Sequence, residues 1–563
     1  MVIAVAASAL ATGRDPRPNI IVVLADDLGY GDLSLHGNPR LRTPELDRLG
    51  RESVRFDDHH VAPMCTPTRG ELMTGLSAFR NGATAVAGGR SIVRREVPML
   101  PEMLRAAGYA TGHFGKWHLG DNHPFRPHER GFEVTIHNKS FGISSLADHW
   151  LNDAEGDVYW RNGTPARFPG YNTDVFFREA MEWIAGQRRP FFVYLATTAA
   201  HEPHYVPSRY AKPYEDLPGV LPAFFGMAAN LDENVGRLRR FLAERGLERN
   251  TILVYMTDNG SVERTGYYRA GMRGRKGALY EGGHRVPLFL HWPGGGAAAA
   301  PRRIGTLTHG TDLAPTLLEL CGVPAPPGVA FDGRSLAPLL AGNARGFDGR
   351  TVFVQYGVEF KEWDCAILRD KWRLIQGREL YDLATDPAQT RDIAAGHPEL
   401  VAALRADYEA WLGPTKAIMG RPNHIVVGTD AENITTLSGA DWNGPFCDEI
   451  GELREGAAAK FGFWNIEAAA DGPYAVKLYL FPPEAEAALD GSFRAAPARP
   501  VRAARLSIDT EQWTREAPAG VSHVKFEVTL RRGGRHRIEG RFLGADGQPV
   551  WGAVFLVIER AAR

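Results

Sequence analysis

The stretch Asn19-Ile20-Ile21-Val22-Val23-Leu24-Ala25-Asp26-Asp27 decides the fold. Its uncharged, β-branched part reads as a strand buried on both faces, and such strands belong to parallel sheets covered by helices. The pattern returns at Pro190-Phe191-Phe192-Val193-Tyr194-Leu195-Ala196 and at Thr251-Ile252-Leu253-Val254-Tyr255-Met256, and Tyr109 to Phe114 is read the same way. Helical patterns lie between. Met227 to Arg245 sets Leu231, Val235, Leu238 and Leu242 at helical spacing; Leu100 to Ala107 is a short amphipathic helix stopped by Gly108; Pro44 starts another. Strands alternating with helices predict an α/β fold, a mostly parallel sheet sandwiched by helices.

Ligands in open α/β sheets sit beyond the carboxyl ends of the strands. The first strand ends in Asp26-Asp27 and the Thr251 strand in Thr257-Asp258-Asn259-Gly260. An adjacent acid pair is either a helix cap followed by a solvated acid or two charges that a cation holds together. Directly after so apolar a strand, the cation is the expected reading. Asp26, Asp27, Asp258 and Asn259 would make an all-oxygen set, which selects calcium or magnesium over zinc. Lys116 and His118 follow Phe114, flanked by Gly115 and Gly120, a grouping suited to an anion and to proton transfer. His201 and His204 stand on a loop stiffened by Pro203 and Pro207; either is a candidate acid, although a loop histidine is more often polar surface. Gly271 to Pro287 is glycine-rich and basic but lacks nucleotide-loop spacing, so its expected use is to bring Lys276 to a small oxyanion.

Cys65-Thr66-Pro67-Thr68-Arg69-Gly70-Glu71-Leu72-Met73-Thr74-Gly75 reads as a short helix with proline in its first turn and glycine at its end. A nucleophile at that N-terminus faces free N–H groups, which suits an anionic substrate. A buried structural cysteine before an ordinary helix is the plain alternative.

At 563 residues, two or more domains are expected. Lys and Arg (65) balance Asp and Glu (66), so no basic field points to nucleic acid. Cys65, Cys321, Cys365 and Cys447 are too widely spaced to define a zinc site or a disulfide framework. Val2 to Ala11 resembles the end of a signal peptide but is short and lacks a basic start. It predicts a periplasmic or secreted protein, or a cytoplasmic one if the run has no such role. No later run has membrane-spanning length, so no membrane partner is expected. The expected organisation is a signal remnant over 1–17, a catalytic domain over 18–412, a linker over 413–430 with Pro414, Gly420 and Pro422, and a β-sandwich-like accessory domain over 431–563. The catalytic domain closes on a small β-region, with a hairpin around Gly377, and a helix from Pro398 to Leu412. In the accessory domain Val524, Phe526, Val528 and Leu530 alternate with polar residues, and Tyr474 to Phe481 and Val550 to Ile558 also read as strands. Trp442, Trp464, Trp513 and Trp551 could stack on sugar rings, though burial in a core is the commoner use of tryptophan.

Together these stretches resemble the type I, formylglycine-dependent sulfatases of the alkaline-phosphatase superfamily, over roughly residues 18–412. Cys65 to Arg69 with Leu72 to Gly75 matches the first family signature, and Gly108-Tyr109 through Gly115-Lys116-Trp117-His118 the second. The pairs Asp26-Asp27 and Asp258-Asn259, the Lys276 to Gly283 stretch, and Leu380-Tyr381-Asp382-Leu383 with Asp386-Pro387 follow in the family order. Thr66 and Phe114 depart from the commoner residues without removing a needed chemical group.

The resemblance implies that a maturation enzyme converts Cys65 to Cα-formylglycine, whose hydrated aldehyde is a geminal diol. One hydroxyl attacks sulfur and expels the alcohol. The other then loses its proton, and the aldehyde re-forms as sulfate leaves. It further implies calcium, with magnesium second, held by Asp26, Asp27, Asp258, Asn259 and residue 65. Lys116 and Lys276 would bind sulfate oxygens, His201 would protonate the leaving oxygen, His118 would act as base in the second half-reaction, and Arg69 would orient the diol. The expected substrate is a sulfated carbohydrate, with arylsulfatase activity on model substrates. The alternatives are a phosphodiester or phosphonate monoester hydrolase on the same fold, or a catalytically silent calcium-dependent glycan-binding protein if Cys65 stays a thiol.

Overall fold

The apolar runs of the first domain become the centre of a ten-stranded sheet. This computed structural model describes residues 15–262 and 266–561; the Val2 to Ala11 run lies outside the described residues. Five parallel strands form the middle: β1 (Asn19–Ala25), β2 (Ala110–Lys116), β3 (Val134–Asn138), β4 (Phe191–Ala196) and β5 (Thr251–Thr257), in the spatial order β5-β1-β4-β2-β3. Shorter strands flank them, with antiparallel pairs at Leu288–His291 beside β5 and Val158–Arg161 beside β3.

β1 shows why the run is continuous rather than alternating. Ile21, Val23 and Ala25 enter one buried cluster with Leu231, Val235 and Leu238 of helix Leu221–Glu244. Ile20, Val22 and Leu24 enter the opposite cluster with Leu72 and Met73 of helix Cys65–Thr74. Both pleat faces are covered, so both need apolar side chains. These helices are α1 (Cys65–Thr74) and α2 (Leu221–Glu244). α1 ends at Gly75 with φ +67°, where an added Cβ would stand 2.6 Å from Phe331. α2 begins earlier than Met227, because Pro222 occupies a first-turn position and Phe224 and Phe225 are already buried. Gly310–Asp312 forms a 3-10 turn, with the His309 side chain as its cap, and leads into helix Leu313–Leu320.

Four antiparallel strands, Thr351–Gln355, Cys365–Arg369, Trp372–Ile375 and Glu379–Asp382, close the first domain against helix Pro398–Lys416. That helix continues through Pro414, and the chain then enters its next strand at Ile425–Val427. The second domain is two facing sheets. Ile425–Val427, Trp464–Ala468, Arg535–Leu543, Ala503–Ile508 and Glu511–Glu516 belong to one; Ile434–Leu437, Phe555–Arg560, Gly472–Tyr479 and His523–Leu530 form the other. Val524, Phe526, Val528 and Leu530 point inward while Lys525, Glu527 and Thr529 are exposed. Trp442, Trp464 and Trp551 are core residues, and half-buried Trp513 packs against that core.

Candidate active site

β1 and β5 are in register, Ala25 opposite Thr257, so the residues that follow them emerge side by side. The Asp27 N–H donates to Asp258 Oδ1 at 3.1 Å, and Asn259 Nδ2 donates to Asp27 Oδ1 at 2.8 Å. β2 delivers Lys116 as its last residue, with Nζ 2.6 Å from Asp26 Oδ2. Lys276 arrives on the glycine-rich loop and sets Nζ 2.7 Å from both Asp27 oxygens. From the first turns of α1, Arg69 donates to Asp258 Oδ2 at 2.7 Å and to the Lys116 carbonyl at 3.0 Å, and lies 3.6 Å from Asp26 Oδ1. Cys65 is the first residue of that helix and is buried. Asp27 and His118 hold φ angles of 61° and 57°, unusual for residues with a side chain and a form of strain that collects at functional sites.

Three carboxylates, Asp26, Asp27 and Asp258, thus face three cations, Arg69, Lys116 and Lys276, with little water between them. Burial pushes Asp26 up, but Lys116 and Arg69 outweigh it and hold the carboxyl well below its usual range. Asp27 is lowered too, burial being overcome by Lys276 and His201. Asp258 goes the other way, to about 7, through burial and the Asp26 charge. Burial also raises the Cys65 thiol. His201 falls to about 4 through burial and Lys116, and His118 falls well below its ordinary value through burial, Lys116 and Arg69.

The acceptors are more numerous than their donors. Asp26 Oδ1 and Asn259 Oδ1 are buried without a hydrogen-bond partner, a costly arrangement unless something else supplies positive charge. Ligand atoms of Asp26, Asp27 and Cys65 lie within 4.8 Å of one another. This oxygen-rich set fits a hard divalent cation. Such an ion would leave the three-against-three group at net +2, matched to an anionic ester.

The histidines differ. Both ring nitrogens of buried His118 lack partners. His201 has Nδ1 2.6 Å from the Glu202 carbonyl, which leaves Nε2 toward Asp27 Oδ2 at 3.7 Å. His204 stands edge-on to Phe224. Every residue singled out around Cys65 in the sequence is therefore brought to one centre, apart from His204.

Two features had no clear sequence signal. Phe141, just beyond β3, stacks on His201 at 5.6 Å and meets His118 edge-on at 6.1 Å. β3 contains His137 and Asn138, which disguise it as a loop; reading it as a strand would have drawn attention to the residues after it. A second buried group, His60, Glu281 and His284, also brings three ligand atoms within 4.8 Å. It is tied to Arg373, whose Nε donates to Glu281 at 2.7 Å and whose Nη2 donates to Asp58 at 2.8 Å.

Known proteins place this geometry. The family model described as Sulfatase matches residues 18–323, and one described as N-sulphoglucosamine sulphohydrolase, C-terminal, matches residues 274–409. The chain is 32% identical over 440 residues to arylsulfatase A of Homo sapiens, covering 71% of this chain and 83% of that one. It is 31% identical over 508 residues to N-acetylgalactosamine-6-sulfatase of Mus musculus, covering 79% and 93%. The solved structure of Ps i-CgsB in complex with k-i-k-neocarrahexaose superposes with a TM-score of 0.65 at 26% identity, covering 70% of this chain and 92% of that one. The chain belongs to the sulfatase family, on an α/β fold of the alkaline-phosphatase superfamily, and is a sulfuric ester hydrolase.

Proposed function

We propose that the protein hydrolyses sulfate esters of carbohydrates, with residue 65 as the nucleophile position after conversion of Cys65 to formylglycine. The observation that carries this reading is the convergence of Cys65, at the start of α1, with Asp26, Asp27, Lys116 and Lys276 in one buried centre. Sulfatases in general use formylglycine and a divalent metal. Formylglycine supplies a hydrated aldehyde with two hydroxyls where the cysteine supplies one sulfur. A divalent ion, calcium first and magnesium second, supplies Lewis acidity and lowers the pKa of a bound hydroxyl; Asp26, Asp27, Asp258 and Asn259 would hold it with residue 65.

The remaining steps belong to this chain's own groups. Lys116 and Lys276 present fixed positive charge to the sulfate oxygens in a site shielded from water, where such charge acts strongly. Arg69 is anchored on Asp258 and the Lys116 carbonyl, and so orients the residue 65 side chain. His201, with Nδ1–H fixed on the Glu202 carbonyl, directs Nε2 to the leaving oxygen and donates from its doubly protonated form, which a bound anionic ester favours. His118 takes the proton from residue 65 in the second half-reaction. N-acetylgalactosamine-6-sulfatase and the carrahexaose complex among the similar proteins support a sulfated sugar as substrate.

The test compares 4-nitrophenyl sulfate, 4-nitrophenyl phosphate and a phenyl phosphonate monoester on one preparation matured with a formylglycine-generating enzyme. Preferred turnover of the sulfate is expected. Preferred turnover of either phosphorus ester would overturn the substrate class, and turnover of none would favour a glycan-binding protein.

A further inference from the structure

A basic cavity of about 440 Å³ lies where the two domains meet. Its walls come from the segment around Arg94 in the first domain, from the chain that follows helix Pro398–Lys416, and from strands Trp464–Ala468 and Arg535–Leu543 of the second domain. None of the residues that line it belongs to the centre at residue 65. The chain as a whole is almost neutral, yet four arginines, Arg94, Arg95, Arg421 and Arg535, line this cavity against two carboxylates, Glu96 and Glu467. Arg535 Nε donates to Glu467 at 2.9 Å, so those two charges offset each other. Arg95 and Arg421 are exposed, and among the described residues neither side chain has a hydrogen bond or an ion pair.

Arg94 is the unusual member. It is 5% exposed, its Nη1 and Nη2 donate to the Arg80 and Ile418 carbonyls, and its Nε has no partner. Both acceptors are neutral, so the guanidinium charge is buried without a carboxylate in contact. Burial lowers its pKa; Glu96 opposes this, and the Arg421 and Arg90 charges reinforce it. A cation buried in this way is costly until an anion joins it. Arg94 is also a wall of a second cavity, of about 410 Å³, which Gly420, the neighbour of Arg421, lines as well. The second cavity is more apolar. Phe360 lines it, edge-on to Phe79 at 5.5 Å, together with Val358, which is 44% exposed, and Arg90 adds a further cation. Each volume falls in the range of about 300–1,000 Å³ typical of ligand pockets, well beyond the needs of an inorganic anion. Guanidinium forks match the oxygens of tetrahedral oxyanions, and aromatic rings pack on the C–H face of a sugar.

We propose that the two cavities form one binding site for a sulfated glycan chain, with Arg95 and Arg421 gripping a sulfate group in the field of buried Arg94, and Phe360 and Val358 packing on the neighbouring sugar ring. The site holds the polymer and cleaves nothing. The choice of a sulfated glycan among polyanions rests on the sulfate-ester reading of the centre at residue 65.

The test is calorimetric titration of the full chain, carrying Cys65→Ala to stop turnover, with a sulfated dextran oligosaccharide, its unsulfated counterpart and sodium sulfate. The sulfated oligosaccharide is expected to bind more tightly than either of the others. Adding Arg95→Ala and Arg421→Ala together should weaken it by about tenfold or more, the scale of two lost charge-assisted contacts. The same pair of substitutions in matured protein that keeps residue 65 should leave kcat/KM for 4-nitrophenyl sulfate within about twofold, as expected of sites without shared partners. An unchanged oligosaccharide affinity, equal binding of the unsulfated counterpart, or sodium sulfate bound as tightly as the sulfated oligosaccharide would overturn the site and leave the sulfatase centre standing. Loss of oligosaccharide binding in the double variant, with a matured parent that turns over no 4-nitrophenyl sulfate, would sink the sulfatase reading and leave the glycan site.

Discussion

Two clusters of buried ionisable side chains lie in the first domain, and they are built to opposite ends. Around His60, every group finds a partner within the chain. His60 Nδ1 meets His284 Nδ1 at 2.9 Å, His60 Nε2 meets Asp58 at 2.8 Å, His284 Nε2 meets the Leu279 carbonyl at 3.1 Å, and Arg373 closes the set on Glu281 and Asp58. Around Cys65, Asp26 Oδ1, Asn259 Oδ1 and both nitrogens of His118 are left over. Both clusters could be drawn as metal sites from their donor atoms alone. Completeness separates them: a satisfied network fixes structure, and an unsatisfied buried one awaits a ligand. The first fastens strand Trp372–Ile375 of the small sheet to the main domain; the second is the centre to which we assign the chemistry.

The comparison breaks most sharply at Cys65. Cys65→Ala should lower turnover by roughly 10⁴-fold or more, the scale of nucleophile loss in covalent catalysis, while the thermal midpoint stays close to wild type. Arg373→Met should do the reverse. It leaves Glu281 and Asp58 buried without the guanidinium that joins them, at a cost of about 3–5 kcal/mol in denaturant titrations, with KM kept in the protein that remains folded. Calcium added after chelation should restore turnover and raise the midpoint, with stabilisation of about 3 kcal/mol at a hundredfold excess over Kd. That rise should survive His284→Gln and vanish in Asp27→Asn; the opposite pattern would exchange the roles of the two clusters.

The smallest effect concerns Glu71, buried on α1. Burial raises its carboxyl from an ordinary 4.5 to about 8; Oε2 has no hydrogen-bond partner and lies 3.8 Å from His309 Nε2. A folded-state value above the unfolded one means that stability is full below the unfolded value and is lost as pH rises through the folded one. Glu71→Gln should therefore match wild type at pH 4 and exceed it by about 1–3 kcal/mol at pH 8, read from urea midpoints. Equal curves at both pH values would show that Glu71 is already ionised and paired.

The convergence of the candidate site residues was legible because each is announced locally in the sequence. Asp26, Lys116 and Asp258 lie at or just beyond the ends of apolar strands, and a parallel sheet brings such ends together whatever the intervening loops do. The sandwich was legible from the alternation at Val524 to Leu530, which one covered face imposes. What escaped depends on distant partners. Nothing near Asp448 announces that it will fasten Ser140 and Ser145, more than 300 positions earlier. Nothing near His60 points to Arg373. The early start of α2 was hidden because the spacing of Leu231, Val235, Leu238 and Leu242 marks only the later turns, while Phe224 and Phe225 are buried in its first ones.

The most direct test is the mass of the tryptic peptide Phe56–Arg69 from protein co-expressed with a formylglycine-generating enzyme, taken from the preparation used for kinetics. The account predicts the formylglycine mass at residue 65, with turnover of 4-nitrophenyl sulfate rising in proportion to the converted fraction. Full turnover by protein whose Cys65 is entirely an unmodified thiol would contradict it.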